Sequence, residues 1–261
     1  MENKITKSKL ISIIMFLAVF IFISILLFIN KDSLVYEFHK NFIDNNNYLE
    51  LLKGLFNTIL ITFVSFVIGL IIGALICLIQ GLNTNNTVLL IMKNIANAYV
   101  SIFRGTPATV QLLIIYFVIF ASFRGDAIYI AMITFGLNSG AYVSEILRGG
   151  INSISKGQME AGRSLGLSYG TTMKKIILPQ AIRNALPSLG NEFITLIKET
   201  SIVGFIGAID LTLAFRKIAN DTYDFEIVYI MMGIIYFLIV LFITILLRKL
   251  EKRLMNNVKV K

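Results

Sequence analysis

Apolar and polar stretches alternate along this chain on the scale of a bilayer. Residues 10–29, 54–80, 105–123 and 227–247 carry no charged side chain at all. About 20 apolar residues in helix cross the hydrocarbon core of a membrane, so each run is a candidate span. Residues 127–147 form a further span that stays apolar until Glu145, and residues 185–207 form a broken, polar-rich one. Between them, residues 81–104 are mildly amphipathic, residues 31–53 are polar with a turn expected at Asn45–Asn47, and residues 208–226 are polar and amphipathic. The pattern predicts an all-α membrane protein, a polytopic helical bundle of about six transmembrane helices. The first run follows Lys4, Lys7 and Lys9, as a signal peptide would. It is longer than the roughly 7–15 apolar residues of such a peptide and no Ala-x-Ala site follows, so it reads as a retained helix.

Small residues predict which helices touch. Gly69 and Gly73 are one turn apart, as are Gly140 and Ser144, and such faces let two membrane helices approach closely. Glu145 and Arg148 stand three apart and can pair. Arg104 is expected to anchor a helix end at the headgroups, and Pro107 to sit in a first helical turn.

Composition agrees with this class. The 261 residues are 56% hydrophobic with no Trp and a mean hydropathy of +0.79, against about 45–50% apolar in a soluble domain. Cys77, the single cysteine, lies in an apolar run and reads as a buried, inert thiol. His39, the single histidine, lies near Glu37 and Lys40 without a clear set of metal ligands and reads as solvated. The net charge of +9 does not imply nucleic acid, because the cations gather beside helix ends rather than along one stripe.

The longest polar insert is residues 157–179, GQMEAGRSLGLSYGTTMKKIILP. It reads as two short helices around a glycine-rich turn. Met159, Ala161, Leu165 and Leu167 give the first arm an apolar side, with Glu160 and Arg163 placed to pair on the other. Met173, Ile176 and Ile177 give the second arm a similar stripe, and Pro179 marks the boundary with the next segment. Charge places this insert. With six spans both termini share a side, and 17 of the 24 Lys and Arg residues fall on that side. The opposite side holds six, and Lys198 lies in the membrane. Cations mark the cytoplasmic face, so the insert is expected there.

Glu160-Ala161-Gly162, three residues, Gly166, nine residues and Ile176-Ile177-Leu178-Pro179 resemble the EAA loop of permease subunits of bacterial ABC importers. Gly162 stands where that pattern has a second alanine, a change that weakens a helix by up to about 1 kcal/mol. The resemblance implies that Glu160, Ala161, Gly162, Arg163, Gly166, Ile176, Leu178 and Pro179 belong to a coupling helix that docks on a cytoplasmic ATP-binding subunit. Two further patches resemble the polar amino acid branch of these permeases. They are Arg104-Gly105-Thr106-Pro107 followed by Gln111, and Lys198-Glu199-Thr200-Ser201, where Lys-Asp-Thr-Ser is usual. The resemblance covers roughly residues 53–250. It implies three regions: residues 1–52 with the extra helix and an outer loop, a permease domain at 53–250 with the coupling loop at 157–179, and a basic cytoplasmic tail at 251–261. The resemblance also implies that this chain holds a five-helix importer core, and that its partners are the cytoplasmic ATP-binding subunit, a second permease in a homodimer or heterodimer, an extracytoplasmic solute-binding protein and the lipid bilayer.

The expected function is therefore ATP-driven import of a polar amino acid such as glutamine, histidine, a basic amino acid, glutamate or cystine. The chain has no phosphate-binding loop of the Gly-x-x-x-x-Gly-Lys-Ser/Thr type, so ATP belongs to the partner subunit, and no cofactor or metal site is expected in this one. No cluster of nucleophile, base and metal ligands suggests a membrane enzyme. Ionisable groups at membrane depth are costly and face a cavity or protein. Glu192 and Glu199 share one helix face, with Lys198 beside them. These residues, with Tyr142, Ser144, Glu145, Thr200 and Ser201, are the candidates for a substrate path or subunit interface. Pairing inside the bundle explains the charged ones equally well. The alternative function is an ion- or proton-coupled secondary amino acid carrier, in which Glu192, Lys198 and Glu199 form a relay. Such carriers commonly carry inverted repeats, and none is visible here.

Overall fold

The computed structural model describes residues 31–44, 46–82 and 85–256. The helix expected over residues 10–29 and the tail beyond Asn256 lie outside the described residues. Every regular element among the described residues is helical. We number them α1 (Lys31–Phe38), α2 (Asn47–Gly81), α3 (Thr87–Gly105), α4 (Ala108–Ile114), α5 (Ala127–Asn152), α6 (Lys156–Ser164), α7 (Tyr169–Thr172), α8 (Leu178–Glu199), α9 (Leu211–Thr222) and α10 (Phe225–Asn256). Wide π-helical turns extend α1 over His39–Asp44 and α4 over Ile115–Ile119, and one at Met173–Ile177 joins α7 to α8. Among the described residues three helices, α2, α5 and α10, are long and apolar enough to cross a membrane. A fourth span appears if α3 and the segment Ala108–Ile119, bent by 110°, count as one broken crossing. By this measure α8 falls short, because polar residues such as Gln180, Arg183, Asn184, Asn191 and Glu192 lower its hydropathy.

The α2–α5 pair is the frame of the bundle, and it closes on glycine. A Cβ at Gly69 would lie 2.8 Å from the Ser139 side chain, and one at Gly73 would lie 2.5 Å from Val143. Ile68 and Ile72 of α2 in turn fill the space over Gly136 and Gly140. The small faces expected on the two helices are therefore the contact. Such close approach lets a side chain reach the facing backbone, and Ser65 Oγ donates to the Met132 carbonyl at 3.1 Å. Ile61, Leu112, Phe135, Leu196 and Val203 form a core shared by α2, α4, α5, α8 and the 3-10 turn Thr200–Ile206 that follows it.

A second core caps the other end. Phe42, Leu211, Phe215, Ile218 and Val228 pack where α9 lies across α2 and α10. Asp210 starts α9 by accepting from the Thr212 and Leu213 amides, both at 2.9 Å, which satisfies two of the donors a helix start leaves free. Asn57 and Thr58 of α2 bond Ile209 O and Leu211 N, fastening this corner to the frame. Asn46, within the expected turn, holds a left-handed φ of 55° just before α2. His39 is exposed and meets Asp44 at 3.3 Å, and Cys77 is buried with a free thiol.

Candidate functional site

The polar insert folds as a compact arm. Ser155 caps α6 by accepting from Gly157 N at 3.3 Å. The other end of α6 is closed by two reverse-turn bonds, Leu167 N to Gly162 O at 3.1 Å and Gly166 N to Arg163 O at 3.0 Å. This pairing is a Schellman motif, and it needs a left-handed residue at the turn. Gly166 supplies it with a φ of +79°, which a side chain would strain. Ser168 then starts α7 by accepting from Thr171 N at 3.1 Å. From Tyr169 onward the chain stays helical through Met173–Ile177 into α8, with Pro179 in the first turn of α8 where no amide partner is required.

Gly162 faces Thr172 across the arm. A Cβ there would lie 2.5 Å from Thr172 Cγ2 and 2.8 Å from its Oγ1. The departure from the second alanine of the loop pattern thus matches a local need for space. Glu160, Ala161, Arg163 and Gly166 are exposed on the arm, whereas Ile176, Leu178 and Pro179 are half-buried at its root. Two expectations change. Arg163 turns its guanidinium to the Leu167 carbonyl at 3.3 Å, and no Glu160–Arg163 ion pair forms among the described residues. The carbonyl lies at the helix end, where a cation is favoured. The apolar side of the first arm is packed only in part: Met159 and Leu167 are half-buried, whereas Leu165 is 80% exposed and Tyr169 of α7 is 57% exposed.

The intramembrane candidates fall into separate groups. At one end of α5, Arg148 grips Glu145 through Nε at 3.0 Å and Nη2 at 2.6 Å. Arg104 reaches the same carboxylate at 3.2 Å and lies 5.5 Å from the centre of the Tyr142 ring. Arg104 thus reaches a carboxylate of α5 while its side chain stays partly exposed. Ser144 is buried and donates to the Ala141 carbonyl at 2.8 Å. Deeper in the bundle Ser139 donates to Glu192 Oε1 at 2.7 Å, and Glu192 is buried. Lys198 is exposed, Glu199 is half-buried, and Thr200 is buried where α8 tightens into a 3-10 turn. There Thr200 and Ser201 donate to the Ile197 and Lys198 carbonyls at 2.7 Å and 2.6 Å.

Sequence reasoning missed how the helix break at Gly105–Pro107 is held. Gln111 Nε2 lies 2.8 Å from the Phe103 carbonyl and 3.0 Å from the Thr106 carbonyl, while its Oε1 accepts from Asn138 of α5 at 2.8 Å. A break inside a membrane must satisfy its freed carbonyls, and one glutamine does so while tying α4 to α5. The only sequence signal was a glutamine four residues after the proline.

Comparison with known proteins follows the same outline. The profile of the family described as binding-protein-dependent transport system inner membrane component matches residues 89–256. The arginine transport system permease protein ArtQ of Bacillus subtilis is 41% identical over 209 residues, 79% of this chain and 93% of that one. The putative glutamine transport system permease protein GlnP of Rickettsia typhi is 39% identical over 211 residues, 80% of this chain and 94% of that one. Among solved structures, the crystal structure of an amino acid ABC transporter with histidines matches at a TM-score of 0.72 and 38% identity, over 79% of this chain and 94% of the other. The inward-facing MetNI methionine ABC transporter shares the fold at a TM-score of 0.66 and 19% identity. The chain belongs to the family of binding-protein-dependent transport system inner membrane components.

Proposed function

We propose that this chain is the membrane-spanning permease subunit of an ATP-driven ABC importer for a polar amino acid. The observation that carries the reading is the arm. Capped at both ends of α6 and rooted in α8, it holds Glu160, Ala161 and Arg163 outward beside an exposed Leu165 and Tyr169. Apolar side chains displayed at the tip of a rigid, capped element suit a partner groove. In this reading the arm docks on a cytoplasmic ATP-binding subunit, which binds and hydrolyses the ATP. Two permease subunits, identical or related, enclose the pathway, and an extracytoplasmic binding protein delivers the substrate. Both termini face the cytoplasm, and residues 53–250 form the transport domain.

The substrate class follows relatives named for glutamine and arginine transport. Glu192, Lys198 and Glu199 supply both signs of charge in or beside the bundle, as recognition of a zwitterion requires. Nothing in the arrangement favours a secondary carrier. The deciding experiment is mass spectrometry of the complex purified through a tag on this chain in mild detergent. A stoichiometric ATP-binding subunit is expected, and the same spectrum reads whether the second permease is identical. A chain that purifies alone and moves an amino acid into liposomes without ATP overturns the reading.

A further inference from the structure

A cavity of about 520 Å³ opens between the last turns of α2, the amphipathic α3 and the end of α5. Lys93 and Arg104 reach it from α3, and Arg148 from α5. Glu145 is the single carboxylate on its wall, so three cations face one anion. Both arginines are held by that carboxylate. Arg148 spends its Nε and Nη2 on Glu145 and Arg104 its Nη1, which leaves other guanidinium donors of each along the wall. Among the described residues the Lys93 ammonium has one long contact, 3.4 Å to the Leu82 carbonyl. Ser101 and Asn97 add a hydroxyl and an amide to the same wall. Exposed apolar side chains, Val88, Ile91 and Ile95, form the opposite face of α3.

We propose that this cavity is a binding site for a phosphate-type oxyanion, with Lys93, Arg104 and Arg148 as its donors and Glu145 as the positioning residue. Guanidinium groups bind phosphate in paired hydrogen bonds, and a carboxylate that orients two of them removes part of their ordering cost. A basic cavity between membrane helices has the character of a lipid headgroup site. Free phosphate offers the same chemistry. The position on the inner boundary rests on the topology of the proposed function; the charge balance and the cavity do not.

The test uses the purified complex, stripped of lipid in mild detergent. It is titrated with phosphatidylglycerol, phosphatidylcholine and inorganic phosphate and read by native mass spectrometry. Phosphatidylglycerol is expected to bind more tightly than phosphatidylcholine. Each lost cation near a membrane surface is worth about fivefold in affinity, so Lys93→Gln lowers binding by about fivefold and Lys93→Gln with Arg148→Gln by about 30-fold. Arg216→Gln, in α9 far along the chain from this wall, leaves it unchanged. If phosphatidylglycerol and phosphatidylcholine bind alike but inorganic phosphate weakens with the same variants, the ligand is a soluble anion and the site stands. If neither ligand responds to Lys93→Gln, a change that breaks no ion pair, the site is refuted even should Arg148→Gln fail to fold. Labelling of Lys93→Cys from the external side alone would overturn the topology and leave the cavity untouched.

Discussion

The contact between Gly162 and Thr172 makes the tightest prediction. Gly162→Ala restores the residue that the loop pattern carries, and in an isolated helix it would stabilise by about 1 kcal/mol. Here the new methyl would start 2.5 Å from Thr172 Cγ2. Thr172 is fully buried, and its hydroxyl donates to the Ser168 carbonyl at 3.0 Å, so it cannot swing away without losing that bond. Overpacking costs about 1–3 kcal/mol and the hydrogen bond about 1 kcal/mol. The net expectation is a loss of roughly 1–3 kcal/mol confined to the arm, even though the substitution follows the pattern. Thr172→Ala in the same chain removes both obstructing atoms and should bring the arm back to within about 1 kcal/mol of its starting stability. Hydrogen exchange of the α6 and α7 amides in the purified complex reads the arm directly, and ATP-driven uptake reads its use. Unchanged exchange in Gly162→Ala, or no recovery in the pair, refutes the packing argument.

Gly166→Val should leave the protein in the membrane but loosen ATP-binding subunit docking, because a β-branched residue at φ +79° strains the turn; co-purification reads it. Glu160→Lys should weaken docking by reversing an exposed charge without altering the arm's exchange, and normal docking in both variants would remove the coupling assignment. Gln111→Leu strands the Phe103 and Thr106 carbonyls and the Asn138 amide, at about 1–3 kcal/mol for each group left buried and unpaired. A clear drop in thermal stability is expected, with partial recovery when Asn138→Leu is added. Alanine at Glu145, Glu192, Lys198 and Glu199, tested singly for uptake with assembly checked separately, should lower substrate affinity or rate in at least one. Unchanged transport in all four excludes them from the path.

Elements defined by long-range hydropathy were legible: α2, α5 and α10 all lie where uncharged runs predict them, each extended by polar residues at its ends. The start of α8 was legible from Pro179, which stands in its first turn, but not from hydropathy. Residues 178–184 include Pro179, Gln180, Arg183 and Asn184, which hydropathy assigns to a loop, yet a helix leaving an aqueous arm has no need to be apolar there. Side-chain partners were legible only at helical spacing. Glu145 and Arg148 pair as expected, because three residues apart they share a face. Arg104 meets Glu145 across 41 residues of sequence, and Gln111 meets Asn138 across 27. Both depend on how α3 and α4 lie against α5, which periodicity does not encode. The glycines of the loop showed a similar limit. Spacing identified Gly162 and Gly166 together, but one serves a close approach and the other a left-handed turn.

From Tyr169 to Glu199 the backbone is helical without interruption, passing through one wide π-helical turn and past Pro187. At about 1.5 Å per residue that is a rod of roughly 45 Å. One end stands in the arm, and the other reaches Lys198 and Glu199. A rod converts angle into distance: a tilt of about 10° at the first end sweeps the second through roughly 8 Å, the diameter of a small solute. Flexure would spoil that leverage, and the π turn at Met173–Ile177 and the break in the ladder at Pro187 are where it would concentrate. Under the proposed coupling, the stiffness of those two places sets how much of a push at the tip arrives, as movement, at the far charges.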